Sequence, residues 1–486
     1  MAKITKQSEN FSKWYTDVIL DADLADYGPV KGTMVVKPYG FSLWTHIRDS
    51  LNEMIEESGH ENAYFPLFIP KSFLEKEAKH VEGFAKECAV VTHSKLISED
   101  GSLTVDPDSK LEEEIIVRPT SETIIWHMFK KWITSYRDLP LKVNQWANVV
   151  RWEMRTRLFL RTSEFLWQEG HTAHATKEEA MEETLQIVEI YRTLFEDYLA
   201  IPTMVGRKSN LERFAGADET FSIETMMRDK KALQAGTSHY LGTNFGNAFN
   251  VKFQSKDNKE HPVYATSWGV STRMVGALIM VHGDDKGLKI PPKIAPIQVV
   301  IIPINPKNEK PKEFSSFVTN LEEKLSNLNI RTHVDQLDES PGFKFNKWEL
   351  KGVPLRIEIG LKELENLEIT LCRRDNSEKS QVKIDNINDI SSILDNIQKG
   401  LFNDAKIFMD DNTCTVDSFS DFTKTLSNDN CFIKAYWDGT DETELKIKEK
   451  TKATIRCILE DNKNSSNKCV FSGETAKHLV VFAKAY

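Results

Sequence analysis

Between Tyr39 and Gly59 the apolar residues Phe41, Leu43, Trp44, Ile47, Leu51, Met54 and Ile55 fall on one broad face. That spacing predicts a long amphipathic helix. It runs into Ala63-Tyr64-Phe65-Pro66, an extended piece that Pro66 stops. Residues 94–114 are polar and acidic around a Gly101-Ser102 turn and read as a hairpin or loop insertion. Val149-Val150 and Phe165-Leu166-Trp167 flank a charged stretch, so this part reads as strand, charged loop, strand. Glu178 to Tyr198 repeats the helical pattern, and Thr220–Ile223, Ala248–Phe253 and Tyr264–Ser267 have strand character.

Lys289-Ile290-Pro291-Pro292 marks a boundary, because two prolines cannot continue a helix. Beyond it, the β-branched run Ile297–Ile304 predicts a buried strand. A helix over Glu313–Leu328, a strand over Ile330–Val334, a helix over Gly342–Lys351, and strands over Leu355–Ile359 and Leu367–Arg373 follow. Strands alternating with helices predict a small α/β domain. The last part is less regular, with a polar patch at Asp461–Asn467 read as a loop and an apolar terminal strand, KHLVVFAKAY. The expected division is 1–290, 294–395 and 396–486.

Composition narrows the class. A chain of 486 residues is long enough for about three domains and a large core. Its net charge of −10 argues against indiscriminate coating of nucleic acid, although a local basic surface can still bind RNA. The start, MAKITKQSENFSKWYTDV, has no apolar core of signal-peptide length, and no run approaches the ~18 apolar residues that span a bilayer. Six cysteines at irregular spacing do not form a secreted disulfide framework. The expectation is an intracellular, cytoplasmic protein with no membrane contact.

The chemistry concentrates in RWEMRTRLFLRTSEFLWQEGHTAH, from Arg151 to His174. Arg151, Arg155, Arg157 and Arg161 stand there among Glu153, Glu164 and Glu169. A guanidinium-rich hairpin tip suits a polyanion such as a nucleoside triphosphate, since Arg is a rigid and permanently charged fork. A solvated salt-bridge ladder explains the same residues equally well. Trp167, Glu169 and His171 share one strand face, and a core face does not carry Glu and His together without reason.

Arg-x-Glu, a loop, then Arg-x-x-Glu-Phe resembles motif 2 of class II aminoacyl-tRNA synthetases. The full wording closely resembles prolyl-tRNA synthetases of the archaeal and eukaryotic type. VRPTSE (Val117–Glu122), FAGAD (Phe214–Asp218), LQAGTSHYLG (Leu233–Gly242) and SWGVSTR (Ser267–Arg273) follow in the family's order. The fit covers about Phe11 to Tyr486. The Tyr39–Pro66 segment resembles motif 1, the dimer element of the class, though an ordinary core helix feeding a sheet has the same pattern. The resemblance implies an α+β catalytic domain on an antiparallel sheet flanked by helices. An α/β anticodon-binding domain and a small α/β C-terminal domain would follow it. It also implies a homodimer that activates L-proline with ATP and Mg²⁺ and charges tRNA(Pro).

The resemblance assigns roles residue by residue. Arg151 would bridge the substrate carboxylate and the α-phosphate, with Arg273 as its catalytic companion. Glu153, Arg161, Phe165, Gln234, Thr237, Ser271 and Arg273 would hold the nucleotide, Phe165 by stacking on adenine. Thr120 and Glu122 would accept the proline ammonium. Trp167, Glu169, His171, Phe214 and His239 would form the pocket wall. Pro119-Thr120-Ser121-Glu122 is equally a good helix N-cap. Glu349 and Arg356 would read the anticodon, or would simply pair with each other.

Two departures qualify the match. Many relatives carry a Cys₄ zinc site after the Ala435-Tyr436-Trp437 anchor. Here Asp438, Thr443 and Ser472 stand at three of its positions and only Cys469 remains. One thiolate cannot hold structural zinc, so no zinc is expected. The editing insertion of many bacterial relatives has no room between Arg161 and Arg273. The rival readings are a class II synthetase for another amino acid, glycine or threonine foremost, and a synthetase-like tRNA-binding protein without catalysis.

Overall fold

The computed structural model describes residues 4–78, 88–305, 307, 309–464 and 466–486. The first three residues of the chain's start and position 465 of the Asp461–Asn467 patch therefore lie outside the described residues. The 39–59 periodicity forms the helix Pro38–Glu57, with Pro38 at its first turn and Leu43, Trp44, Ile47, Leu51 and Ile55 buried. Its chain then joins the sheet at Glu61–Asn62, with one more bond from the Ala63 N–H to the Asn144 carbonyl, so the motif-1-like strand is shorter than its apolar run suggests.

The helix Lys177–Thr193 starts at a capping box between Thr176 and Glu179. Its Ile187, Val188 and Tyr191 join the main hydrophobic core beneath the sheet. Each such buried side chain stabilises the packing by roughly 1.5–3 kcal/mol. A charge at Ile187 would break this contact. A π-helical turn, Leu194–Tyr198, completes the element. Residues 94–114 do form a hairpin, Leu96–Glu99 with Ser102–Val105.

The stretch expected as the strand Ala248–Phe253 is instead the end of a short helix, Asn244–Ala248, and a strand that begins at Lys252. Phe245 and Phe249 stack one helical turn apart, and Asn250 at φ 53° reverses the chain. The apolar run thus serves two elements, which periodicity alone cannot divide.

One eleven-stranded sheet forms among the described residues. From one edge it runs Thr413–Thr415, Phe432–Trp437, His478–Ala483, Thr454–Asp461, Met204–Arg207, Glu219–Met226, Ala232–Gly242, Tyr264–Ser271, Glu164–His174, Leu141–Val150 and Glu61–Asn62. The C-terminal strands thus extend the sheet of the N-terminal part, joined where Arg207 pairs with Ile458. The middle part is a separate five-stranded mixed sheet in which Val299–Pro303 lies parallel to both Thr332–Val334 and Leu355–Ile359. The expected division at 395/396 falls inside one continuous helix, Asp389–Asp411. That helix buries Ile390, Leu394, Ile397 and Leu401 in the middle domain's core, and Met409 joins a cluster with Phe432 and Val481.

Candidate active site

The antiparallel strands Leu141–Val150 and Glu164–His174 pair in register, Glu169 opposite Gln145. Side chains alternate across a strand. Phe165, Trp167, Glu169 and His171 therefore share the face that lines a cavity of about 290 Å³. Gly170 points the other way, and its bare Cα admits the ring of Trp268; a Cβ there would lie 2.0 Å from that ring.

Two places along the sheet, in the strand Ala232–Gly242, Gly236 pairs with Ile223 and Gln234 with Glu224, so Ala235 is an extra residue. This bulge brings Gln234 to the same cavity as Thr237 and His239. Glu122, Arg151, Phe214, Ser271 and Arg273 complete the expected set in that cavity. Thr120 is outside its lining but buried beside Glu122, and its hydroxyl has no partner among the described residues. Glu153 and Arg161 lie apart, joined as an ion pair at 3.6 Å. The ladder reading fits that pair. Arg151 and Arg273, by contrast, line the cavity.

The helix Glu122–Trp132 begins where the cap reading puts it, but the hydroxyls are not used for capping. Ser121 accepts from Gln145 Nε2 at 2.9 Å. The same Nε2 donates to Glu169 at 2.7 Å, and Gln145 Oε1 accepts from the Phe65 N–H. Gln145 carried no signal in the sequence, because a glutamine on a strand is common and its partners are remote in the chain. Glu212, Arg213 and Thr220 were missed for the same reason. Thr220 bonds the His239 ring at 2.9 Å, and that ring packs 4.7 Å from Phe214.

The electrostatics separate two groups. Burial works against the Glu169 charge, but hydrogen bonds from His171, Ser121 and Gln145 outweigh it and hold the carboxyl at about 2. Burial pushes Glu122 up, and the nearby Glu169 adds to that. Glu122 Oε2 and His171 Nδ1 have no partner among the described residues. Burial, then the charge of His171, brings His239 down to about 3, so its imidazole is neutral. In the second group, burial and the charges of Arg161 and Arg151 lower Arg273 to about 10. Arg151 stands between the groups, since its charge acts on Glu122 as well as on Arg273. Its Nε donates to the Pro119 carbonyl, and its guanidinium lies 5.6 Å from the Phe165 ring and 5.4 Å from Trp167.

A smaller cavity of about 160 Å³ shares Arg273 and Arg161 with Arg155, Arg157 and Tyr486. Tyr486 lies under the Arg157 guanidinium and donates to Asp229 at 2.7 Å. In the middle domain, Glu349 and Arg356 do not pair with each other. Glu349 accepts from Lys286 at 3.0 Å, and Arg356 bonds Glu358 at 2.9 Å with its guanidinium 4.3 Å from Phe345. Trp348 is buried and donates to Asp335, so it belongs to the core.

The departed zinc positions are also close together. Asp438 Oδ2 accepts from Thr443 at 2.8 Å and from Ser472 at 2.6 Å, while Oδ1 accepts from the Thr440 hydroxyl and N–H. Burial disfavours this carboxylate, but those hydrogen bonds prevail and hold its pKa below the ordinary value. No group of three or more His, Cys, Asp or Glu able to hold a metal occurs among the described residues.

Family models agree with this architecture. Residues 104–282 match the tRNA synthetase class II core domain (G, H, P, S and T), 298–391 the anticodon binding domain, and 419–486 the prolyl-tRNA synthetase C-terminal domain. Fold and site together define a class II tRNA synthetase core. The chain is 54% identical to proline–tRNA ligases of Flavobacterium johnsoniae, Porphyromonas gingivalis strain W83 and Bacteroides fragilis, with at least 99% of each chain covered. It belongs to the prolyl-tRNA synthetase family. These relatives are bacterial, so the match establishes the family and not the archaeal and eukaryotic type expected from the motif wording.

Proposed function

We propose that this chain is a proline–tRNA ligase. The carboxylate of L-proline attacks the α-phosphate of ATP, an acyl–phosphate bond forms, and pyrophosphate leaves. The 3′ hydroxyl of tRNA(Pro) then takes the prolyl group and AMP leaves. The observation that carries the reading is one cavity holding buried carboxylates, an apolar wall and converging guanidinium groups.

Proline is a secondary ammonium with an apolar ring. Glu122, with Thr120, is the acceptor for the ammonium, while Glu169 and His171 stand beside it. Trp167, Phe214 and His239 wall the ring. Arg151 bridges the substrate carboxylate and the α-phosphate, which its position between the two charge groups supports. Arg273, Arg161 and Glu153 belong to the nucleotide side, with Ser271 nearby and Phe165 as the adenine platform. Catalysis on this plan is positioning plus stabilisation of spreading negative charge, and side chains form no covalent bond. Gln234 and Thr237 are neutral oxygen donors in the cavity that would help hold a Mg²⁺ brought in with the phosphates. It would offset phosphate charge.

The middle domain takes the tRNA anticodon, with Glu349 and Arg356 as its readers. The chain acts as a cytoplasmic homodimer. The exposed Tyr64 and Phe68, beside the sheet edge at Glu61–Asn62, are apolar surface that a second copy would cover. No helix among the described residues is long and apolar enough to cross a membrane. The plan is the short one of the archaeal and eukaryotic type, without an editing insertion between Arg161 and Arg273. Amino-acid-dependent pyrophosphate exchange tests the reading. Proline should support it and glycine and threonine should not; exchange with either of those in place of proline would overturn it.

A further inference from the structure

The loop 208–218 delivers Glu212, Arg213 and Phe214 to the cavity. It rests on the C-terminal helix Asp441–Thr451. Ser209 is buried and donates to Glu444 Oε1 at 2.8 Å, 235 residues away in the chain. Glu444 is also buried, and its Oε2 has no partner among the described residues. One turn further on, Lys448 Nζ donates to Glu212 Oε1 at 3.2 Å. Lys208 anchors the start of the loop, reaching Glu224 and the Arg456 carbonyl at 2.7 Å each. The loop's far side returns to the cavity, where the Phe214 N–H donates to Thr220, the residue that also holds His239.

We propose that Glu444 and Lys448 are positioning residues for the amino-acid end of the cavity. Through Ser209 and Glu212 they set where Phe214 stands against His239. The C-terminal part would then contribute to proline affinity without touching proline. The helix that does this is itself started by the Asp438 cluster: Thr440 is its N-cap, and Asp438 holds Thr440 and Thr443. The cluster at the departed zinc positions is therefore connected to the substrate pocket by one helix and one loop. This inference rests on the reading of the cavity as a proline site.

The test is pyrophosphate exchange by the full chain, with KM measured separately for proline and ATP. Glu444→Ala and Ser209→Ala should each raise the proline KM about three- to tenfold, the worth of one hydrogen bond to a carboxylate or less. The double variant should be no worse than the poorer single variant, because both remove the same bond. Lys448→Ala, at an exposed position, should raise the proline KM about twofold. ATP KM should stay unchanged throughout. Glu444→Gln keeps an acceptor for Ser209 and should recover most of the affinity. Glu442→Ala, on the solvent side of the same helix, should change nothing. A merely structural role would lower Tm or move both KM values together. Variants that keep the wild-type proline KM, or that raise both KM values, overturn the proposal. Wild-type enzyme without proline-dependent exchange would instead overturn the reading of the cavity, and this inference with it.

Discussion

Two polar clusters in this protein, each around a buried carboxylate, are built from similar groups and finished differently. At Asp438 every hydrogen bond closes internally: one carboxylate takes Thr440, Thr443 and Ser472, and the cluster starts a helix. In the catalytic cavity the network stops short. Glu169 is held by Gln145, with His171 3.3 Å away, yet Glu122 Oε2, His171 Nδ1 and Thr120 Oγ1 have no partner among the described residues. Burying polar groups without partners costs on the order of 1–3 kcal/mol each, so such groups persist where something else depends on them. The closed cluster holds shape. The open one leaves polar atoms for the ligand proposed above.

Substitutions in the two clusters should therefore fail in different assays. Arg151→Ala, at the junction of the two charge groups, should have the largest effect. We expect kcat/KM for pyrophosphate exchange to fall by roughly 3 kcal/mol or more with the Tm nearly unchanged. Near-normal exchange in the folded variant would remove Arg151 from the reaction. Glu122→Gln should cost about 1.5–3 kcal/mol, seen mainly as a higher proline KM. A rise confined to the ATP KM would place Glu122 on the wrong side of the cavity.

Asp438→Ala should act chiefly on stability, lowering it by about 1–3 kcal/mol at neutral pH because several donors lose their acceptor, with only a small rise in proline KM passed on through the helix it starts. Its pH dependence has a definite sign. The folded pKa of Asp438 is depressed, so its contribution is present above the unfolded carboxylate value of about 4. It is lost as pH falls through the folded value. The Tm gap between wild type and variant should thus close in acid, and a gap that persists at low pH would refute the charged cluster. Smallest of all, Tyr486→Phe should cost about 1 kcal/mol by removing the bond to Asp229, and should leave the ring under Arg157. Urea denaturation would read this, and an unchanged midpoint would show that the hydroxyl is idle.

What was legible in the chain was local. The long helix at Pro38–Glu57 announced itself because the 3.6-residue period of buried positions survives over five turns of helix. The shared face of Trp167, Glu169 and His171 was legible because strands alternate strictly. Asp438, Thr443 and Ser472 were legible as departures from a ligand pattern, though not as a cluster that bonds to itself. Contacts distant in sequence carry no such period. Nothing near Ala235 says that a bulge turns Gln234 into the cavity. Nothing near Gln145 says that it ties Phe65, Ser121 and Glu169 together. The division at 395/396 could not be seen to fall inside a helix that serves two cores at once. The pairing of Arg207 with Ile458, and of Ser209 with Glu444, joins segments about half the chain apart. Such pairings are selected by the packing of whole layers, whose energy depends on which faces meet and not on the residues at either end alone.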